Sequence, residues 1–297
     1  MTVNGTGAGD DGVEIVVRAP ATRGWARVAE RVVQLRGYGP LIVNLARRDL
    51  STRQKRSALG WLWSFINPAA SLAILTLVFG TFLRIAPPVA GNGELESFAV
   101  YLFCALVVWN LFDGVIKGSI TALTDAGPLL NKVYFPPEAP AMANLAVTAT
   151  QTAFEFVVLV VVLIAVGNIS WTIFLWLYLF VLISLLSLGI GLFVSVFNVF
   201  YRDVGYLVTL GLQVVFYATP IIYPLGIIPE RAWGLPALDI IKFNPIAQLT
   251  EMSRDILYDL EVPSALRLGY ATCAAVLVFA VGYTVFVRQT ENIAEEL

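Results

Sequence analysis

The chain alternates long uncharged stretches with short charged junctions. No charged residue occurs from Ala58 to Leu83 (26 positions), Phe156 to Tyr201 (46), Val204 to Pro229 (26) or Leu268 to Val287 (20). A span needs roughly 20 apolar residues, and a charge at its centre costs about 2.5 kcal/mol or more. The stretches are continuous rather than alternating, which favours helices over barrel strands. The pattern predicts an all-α integral membrane protein with six transmembrane helices, at about 60–84, 98–120, 140–165, 172–198, 204–224 and 266–287. Asp113 and Lys117 fall in the second, four apart and able to pair on one helix face. Glu155 falls in the third. Intramembrane acids are functional candidates by default; near the cytoplasmic end of its span, Glu155 is read as a packing or hydrogen-bonding group.

Basic residues near the span ends set the orientation. Ten of the 19 Lys and Arg lie in residues 1–57, which places that end in the cytoplasm. The connection at Gly167–Ser170 has no basic residue and suits the outside; the next carries Arg202 and suits the inside. Residues 225–265 are net acidic, with Glu230, Asp239, Glu251, Asp255, Asp259 and Glu261, and suit the outside. An even number of spans returns the C-terminus to the cytoplasm. The expected layout is a disordered cytoplasmic tail (1–22), an amphipathic and basic interface segment (23–57), the transmembrane domain (58–290) and a second tail (291–297).

Three segments are not simple spans. Trp25, Val28, Ala29, Val32 and Leu35 recur at helical spacing, with Arg27 and Arg31 on other faces, which predicts a basic amphipathic helix in the membrane interface. It reads either as a topology anchor or as a helix framing a channel. Residues 121–140 form a cytoplasmic link punctuated by Gly127-Pro128, Pro136-Pro137 and Pro140; they read as a partner-docking surface or an ordinary loop. Residues 220–250 hold five prolines between apolar residues, which predicts a re-entrant external segment before the last span. Ser187, Gly191 and Ser195 form a small-residue ridge for close helix packing.

Composition removes most chemistry. Hydrophobic residues make up 58% of the 297 and charged residues 13%, against about a quarter charged in a soluble domain. There is no histidine, so His-based triads, relays and metal sites are excluded. Cys104 and Cys273 sit in distant apolar runs and read as small core hydrophobes rather than a disulfide or metal pair. No metal site and no catalytic residue is expected.

Several segments together resemble one family. They are RDLSTRQKRSALGWLWSFINP at 48–68, NKVYFPPE at 131–138, NVFYRD at 198–203, LQVVFYATPIIYP at 212–224, and Asn244-Pro245 with Arg254. In this order they resemble the membrane subunit of ABC-2-type exporters over roughly 40–290. Within that family the chain is most similar to the polysaccharide-exporting branch, which moves O-antigen, teichoic acid or lipid-linked galactan, and looks closest to the galactan exporters of mycobacteria. The family often has Arg after the Phe-Pro; here Pro137 stands there.

The resemblance implies a homodimeric permease in the inner (plasma) membrane, carrying lipid-linked polysaccharide outward. It implies two copies of a separate ABC ATPase that hold the ATP and Mg, so that this chain binds no cofactor and is not by itself an enzyme. The chain's lack of any Gly-Lys pair, and hence of a P-loop, agrees. It further implies that Leu129, Lys132, Tyr134, Phe135, Pro136 and Glu138 couple to the ATPase. It places the first and fifth spans of both copies around the pathway, with Phe65, Phe79, Phe82, Phe216, Tyr217 and Tyr223 offering ring faces to sugars. The alternative for those aromatics is contact with lipid or neighbouring helices. Rival readings are a lipid or drug exporter of the same family, a membrane-embedded glycosyl- or acyltransferase, which would need a catalytic acid or base pair, and a proton-coupled carrier, which would predict internal repeats.

Overall fold

Apolar length dictates the first level of structure. A computed structural model describes residues 31, 36–54, 59–85, 88–130, 136–232, 234 and 236–296. Helix α1 (Gly39–Gln54) precedes α2 (Trp63–Leu75), which continues as a π-helical stretch over Thr76–Phe82. Then come α3 (Phe98–Leu130), α4 (Ala139–Ala165), α5 (Leu175–Phe200, led by a 3-10 turn at Trp171–Phe174) and α6 (Asp203–Ala218). Two short helices, α7 (Ala237–Lys242) and α8 (Pro245–Leu257), lead to α9 (Ala265–Glu296).

Among the described residues, five segments are long and apolar enough to cross a membrane: Gly60–Phe82, Phe98–Ala126, Ala139–Ala165, Trp171–Phe200 and Ala265–Gln289. They make this a multi-pass membrane protein. Within the span expected over 204–224 the helix occupies 16 residues, Asp203–Ala218, about 24 Å at 1.5 Å per residue against a hydrocarbon core of about 30 Å. Pro220 cannot supply a helical N–H, so the chain turns there. The second span does not end at 120. Its helix runs through Gly127-Pro128 to Leu130, because a proline in the final turn costs one hydrogen bond and not the helix. The last helix likewise continues to Glu296, through residues read as a tail.

Helix α3 is the most enclosed span and packs against α4, α5, α6 and α8. Small residues let the backbones close. A Cβ on Gly282 of α9 would lie 2.0 Å from the Gly189 carbonyl oxygen of α5, and one on Gly191 2.7 Å from the Ser119 side chain of α3. Ser187 and Ser195 are buried beside them, so the small-residue ridge packs within the chain. Asn198 ties α5 to its neighbours, donating to the Ile120 carbonyl (3.4 Å) and accepting from the Gly205 N–H (2.9 Å). Cys104 is buried in the core; Cys273 is exposed on α9 and is not a core residue.

The opposite end of the bundle is organised by α8. Asn244 caps it, accepting from the Ile246 N–H, and Pro245 opens it. One face, with Ile246, Leu249, Met252, Ile256 and Leu257, is buried among α3, α5 and α9. Arg254 is also buried, at 1% exposure. Its Nη1 donates to the Pro220 carbonyl (2.6 Å) and to Glu251 (2.5 Å), and its Nη2 to the Ile221 carbonyl (2.6 Å). The guanidinium also lies over the Tyr101 ring, 4.0 Å from its centroid. It thereby satisfies carbonyls left free where α6 breaks. Asn168 donates to the Leu257 and Tyr258 carbonyls, and the Tyr258 hydroxyl to that of Pro88. Gly91 lies where any Cβ would meet the Asp259 carbonyl, 2.1 Å away.

Arg254→Ala would leave Glu251 and two backbone carbonyls buried without their donor. The expected cost is about 3–5 kcal/mol, read as loss of monodisperse protein in detergent or a lower unfolding temperature. Asp259 gives a second test. Burial, reinforced by repulsion from Asp255, Glu261 and Glu251, raises its carboxyl from 3.8 to about 6. Between these values the folded protein keeps a proton that the unfolded chain has released. This contribution to stability is therefore full below 3.8 and lost as pH rises through about 6. Thermal unfolding across pH 4–7 should show a shallower decline for Asp259→Asn than for the parent.

Candidate translocation and coupling site

The turn before α4 joins three distant segments. Pro136 accepts from the Ala139 N–H at 2.9 Å, and Pro140 stands in the first turn, where a proline is tolerated. Glu138, 1% exposed, accepts from Arg31 Nη1 at 3.5 Å and from the Tyr283 hydroxyl at 3.4 Å. Burial pushes its carboxyl up, and the turn's backbone, Arg31 and Tyr283 oppose this. One carboxylate thus ties Arg31 to the start of α4 and to Tyr283 in the second half of α9. Nearby, Leu45 and Ala46 of α1 pack against Ala139, Ala143 and Val147 of α4. Leu129 lies in the last turn of α3. Lys132, Tyr134 and Phe135 fall outside the described residues, as do Trp25 and Arg27 of the expected interface helix. Tyr283 was not foreseen, because an isolated Tyr in an apolar span carries no positional signal.

The six aromatics expected along the pathway do not share one surface. Phe79 is half-buried and packs on Phe98 (centroids 5.5 Å apart), and Phe216 packs on Trp109 (5.3 Å). Both partners are on α3. Phe65 sits against Phe154 of α4 at 4.8 Å. The Tyr223 hydroxyl donates to the Tyr217 carbonyl at 2.9 Å. Phe82 (70% exposed) and Tyr217 (58%) present their rings outward.

A polar groove lies between α3 and α4. Asn110, Asp113 and Lys117 of α3 face Asn144, Thr148 and Glu155 of α4 across a cleft of about 370 Å³. Lys117 pairs with Asp113 at 2.8 Å, and the Asn110 amide donates to Glu155 at 2.9 Å. The cleft shares Gly118 and Asn144 with a cleft of about 510 Å³ beside α1, and Glu155 with one of about 360 Å³ beside the start of α2. Sequence reading found the Asp113–Lys117 pair and a hydrogen-bonding role for Glu155 but not the groove. The signal was present as polar residues every three or four positions at 110, 113, 117, 121 and 125, and again at 144, 148, 152 and 155. No group of residues suited to a metal ion occurs among the described residues.

A bundle of long apolar helices, a short broken one and a buried capping helix is accompanied by a family match. The model of the ABC-2 type transporter family matches residues 40–258, and the chain belongs to that family. The O-antigen export system permease protein RfbA of Myxococcus xanthus is 26% identical over 276 residues, covering 91% of this chain and 99% of that protein. Its namesake in Klebsiella pneumoniae is 26% identical over 263 residues, 86% and 95% of the two chains. The polysialic acid transport protein KpsM of Escherichia coli is 25% identical over 250 residues, 82% and 91%.

Glu138→Ala removes the shared acceptor of Arg31 and Tyr283. Loss of a charge-assisted bond should raise opening of the N-terminal segment by about tenfold. Limited trypsin digestion in detergent should therefore cut at Arg31 faster than in the parent protein. An unchanged rate would show that this carboxylate does not hold the segment.

Proposed function

We propose that this ABC-2 transporter subunit is the channel-forming half of an ATP-driven exporter that moves a lipid-linked polysaccharide from the cytoplasm across the inner membrane. The likeness to permeases for O-antigen and polysialic acid, along almost the whole of both chains, carries the reading. It favours a polymer over the lipid or drug cargo of other family members. Lipid-linked galactan is the first substrate to test, on the strength of the segments quoted above.

The sequence has no phosphate-cradling Gly-rich loop with a following Lys. The work therefore comes from a separate ATPase, two copies of which serve two copies of this chain. ATP-driven closure of the ATPase pair moves the link at residues 121–140, which docks on it. Arg31, Glu138 and Tyr283 pass that movement to the interface segment and to α9. Both termini lie on the cytoplasmic side in this arrangement, in keeping with the joining of Arg31 and the α4 start to Tyr283 in the second half of α9. Rotation or separation of α2 and α6 between the two copies opens the pathway. Loose attachment of α2, little of which is buried within the chain, supports that assignment. Phe65, Phe82 and Tyr217 give the passing glycan flat, weak, repeated contacts.

Affinity purification of the tagged chain from its own cells should bring down a small ABC ATPase whose hydrolysis rises on assembly. Depletion of the chain should trap lipid-linked glycan on the cytoplasmic face. A chain that purifies without an ATPase would sink the proposal.

A further inference from the structure

Helix α3 is largely buried, yet among its residues of described burial, 98–126, the exposed positions are Asn110, Lys117, Thr121 and Asp125, all polar. The exposed positions of neighbouring α4 are Ala153, Val157, Val161, Ile164 and Ala165, all apolar. Lipid tails cannot hydrogen-bond, so a lipid-facing stripe follows the α4 pattern and the α3 stripe faces water or a polar ligand. Asn110 carries the contrast. It is twelve residues from Phe98, about 18 Å along the helix and well inside a core of about 30 Å, whereas Lys117, Thr121 and Asp125 lie about 29–41 Å along, at or beyond its edge.

The geometry points to the α3–α4 cleft as a water-filled binding site for an uncharged, polyhydroxylated chain, the glycan part of the cargo. This rests on the polysaccharide reading above and deepens it. The three linked clefts, at about 360–510 Å³, are of ligand-pocket size. Amides, hydroxyls and carboxylates line the middle one, the mixture of donors and acceptors that sugar hydroxyls match. Trp61 and Trp63 border the cleft beside α2, where a sugar ring can lie flat. Charge selects against an anion. The ammonium of Lys117 is engaged by Asp113 at 2.8 Å, and Glu155 accepts from Asn110. No free cation lines this middle cleft among the described residues, so a phosphate or sialate would find no counter-charge there. The cleft thus fits a neutral glycan and not an anionic polymer.

The test uses the whole exporter, with its ATPase, in lipid nanodiscs. In a Cys273→Ser background, Asn110→Cys is labelled with a membrane-impermeant maleimide, and Val161→Cys serves as the lipid-facing control. The cleft position should label at least about tenfold faster than Val161→Cys, as expected of water-facing against lipid-facing sites. A neutral glucose hexamer should slow that labelling, and a sialic acid hexamer at equal concentration should leave it unchanged. Labelling at the control rate, protection by neither hexamer, or equal protection by both would each overturn the assignment. Asn110→Leu, tested in cells, is independent of the cysteine variants. It should raise trapped lipid-linked glycan by about fivefold, as loss of one hydrogen bond implies. If depletion of the chain traps glycan and Asn110→Leu exports at the parental rate, the cleft assignment falls alone. If depletion traps none, the exporter reading itself falls.

Discussion

The carbonyls of Pro220 and Ile221, released where α6 breaks, find their donors in Arg254 of α8, and one end of the bundle is arranged around that contact. Removing a guanidinium from water is expensive, and an unsatisfied carbonyl buried beside it costs about 1–3 kcal/mol. Here each offsets the other: Arg254 gains Glu251, two carbonyls and the Tyr101 ring face. Burial raises the Glu251 carboxyl while Arg254 opposes it. Neither the break in α6 nor the buried cation is stable without the other. The same helix then holds the connections on either side, Asn168 through its terminal carbonyls and Gly91 through close backbone contact.

The membrane imposes one rule, that every buried backbone group must be paired, and the chain meets it differently at its two ends. Near α8, side-chain amides and a guanidinium serve irregular backbone. At the other end, Asn198 fills the same role between α3, α5 and α6, and the Glu138 carboxylate gathers Arg31 and Tyr283. Between the ends, glycines bring α5 against α3 and α9, and the buried hydroxyls of Ser119, Ser187 and Ser195 donate to carbonyls of their own helices. This leaves α2 and the groove face of α3 loosely covered, and those are the surfaces where the exporter reading needs a moving, water-accessible boundary. A half braced at both ends and a lightly held first span agree with the proposed drive by a separate ATPase.

Much was legible from charge spacing alone. The absence of charge over 26 to 46 positions can be satisfied only by helices in lipid, so the long helices and their approximate ends followed without any neighbour being known. The lack of histidine and of a P-loop lysine narrowed the expected chemistry in the same way, because those chemistries require particular residues wherever they fold. Local punctuation was less reliable. Gly127-Pro128 failed to end α3, since one missing hydrogen bond in a final turn is minor, whereas Thr219-Pro220 did end α6, where Arg254 rewards the break.

What the sequence could not decide is which polar residues meet. Asn110 and Glu155 are 45 positions apart, Glu138 and Tyr283 145, and Arg254 and Pro220 34. Helical periodicity places each on a face of its own helix but not the faces against one another. Sequence alone determined the class of the long apolar segments and where most of them lie, because their cost in water or lipid depends on each residue separately. Only the tertiary structure decided that a polar stripe on α3 stays uncovered while Arg254 is enclosed, because burial is a property of pairs of surfaces and no single helix carries it.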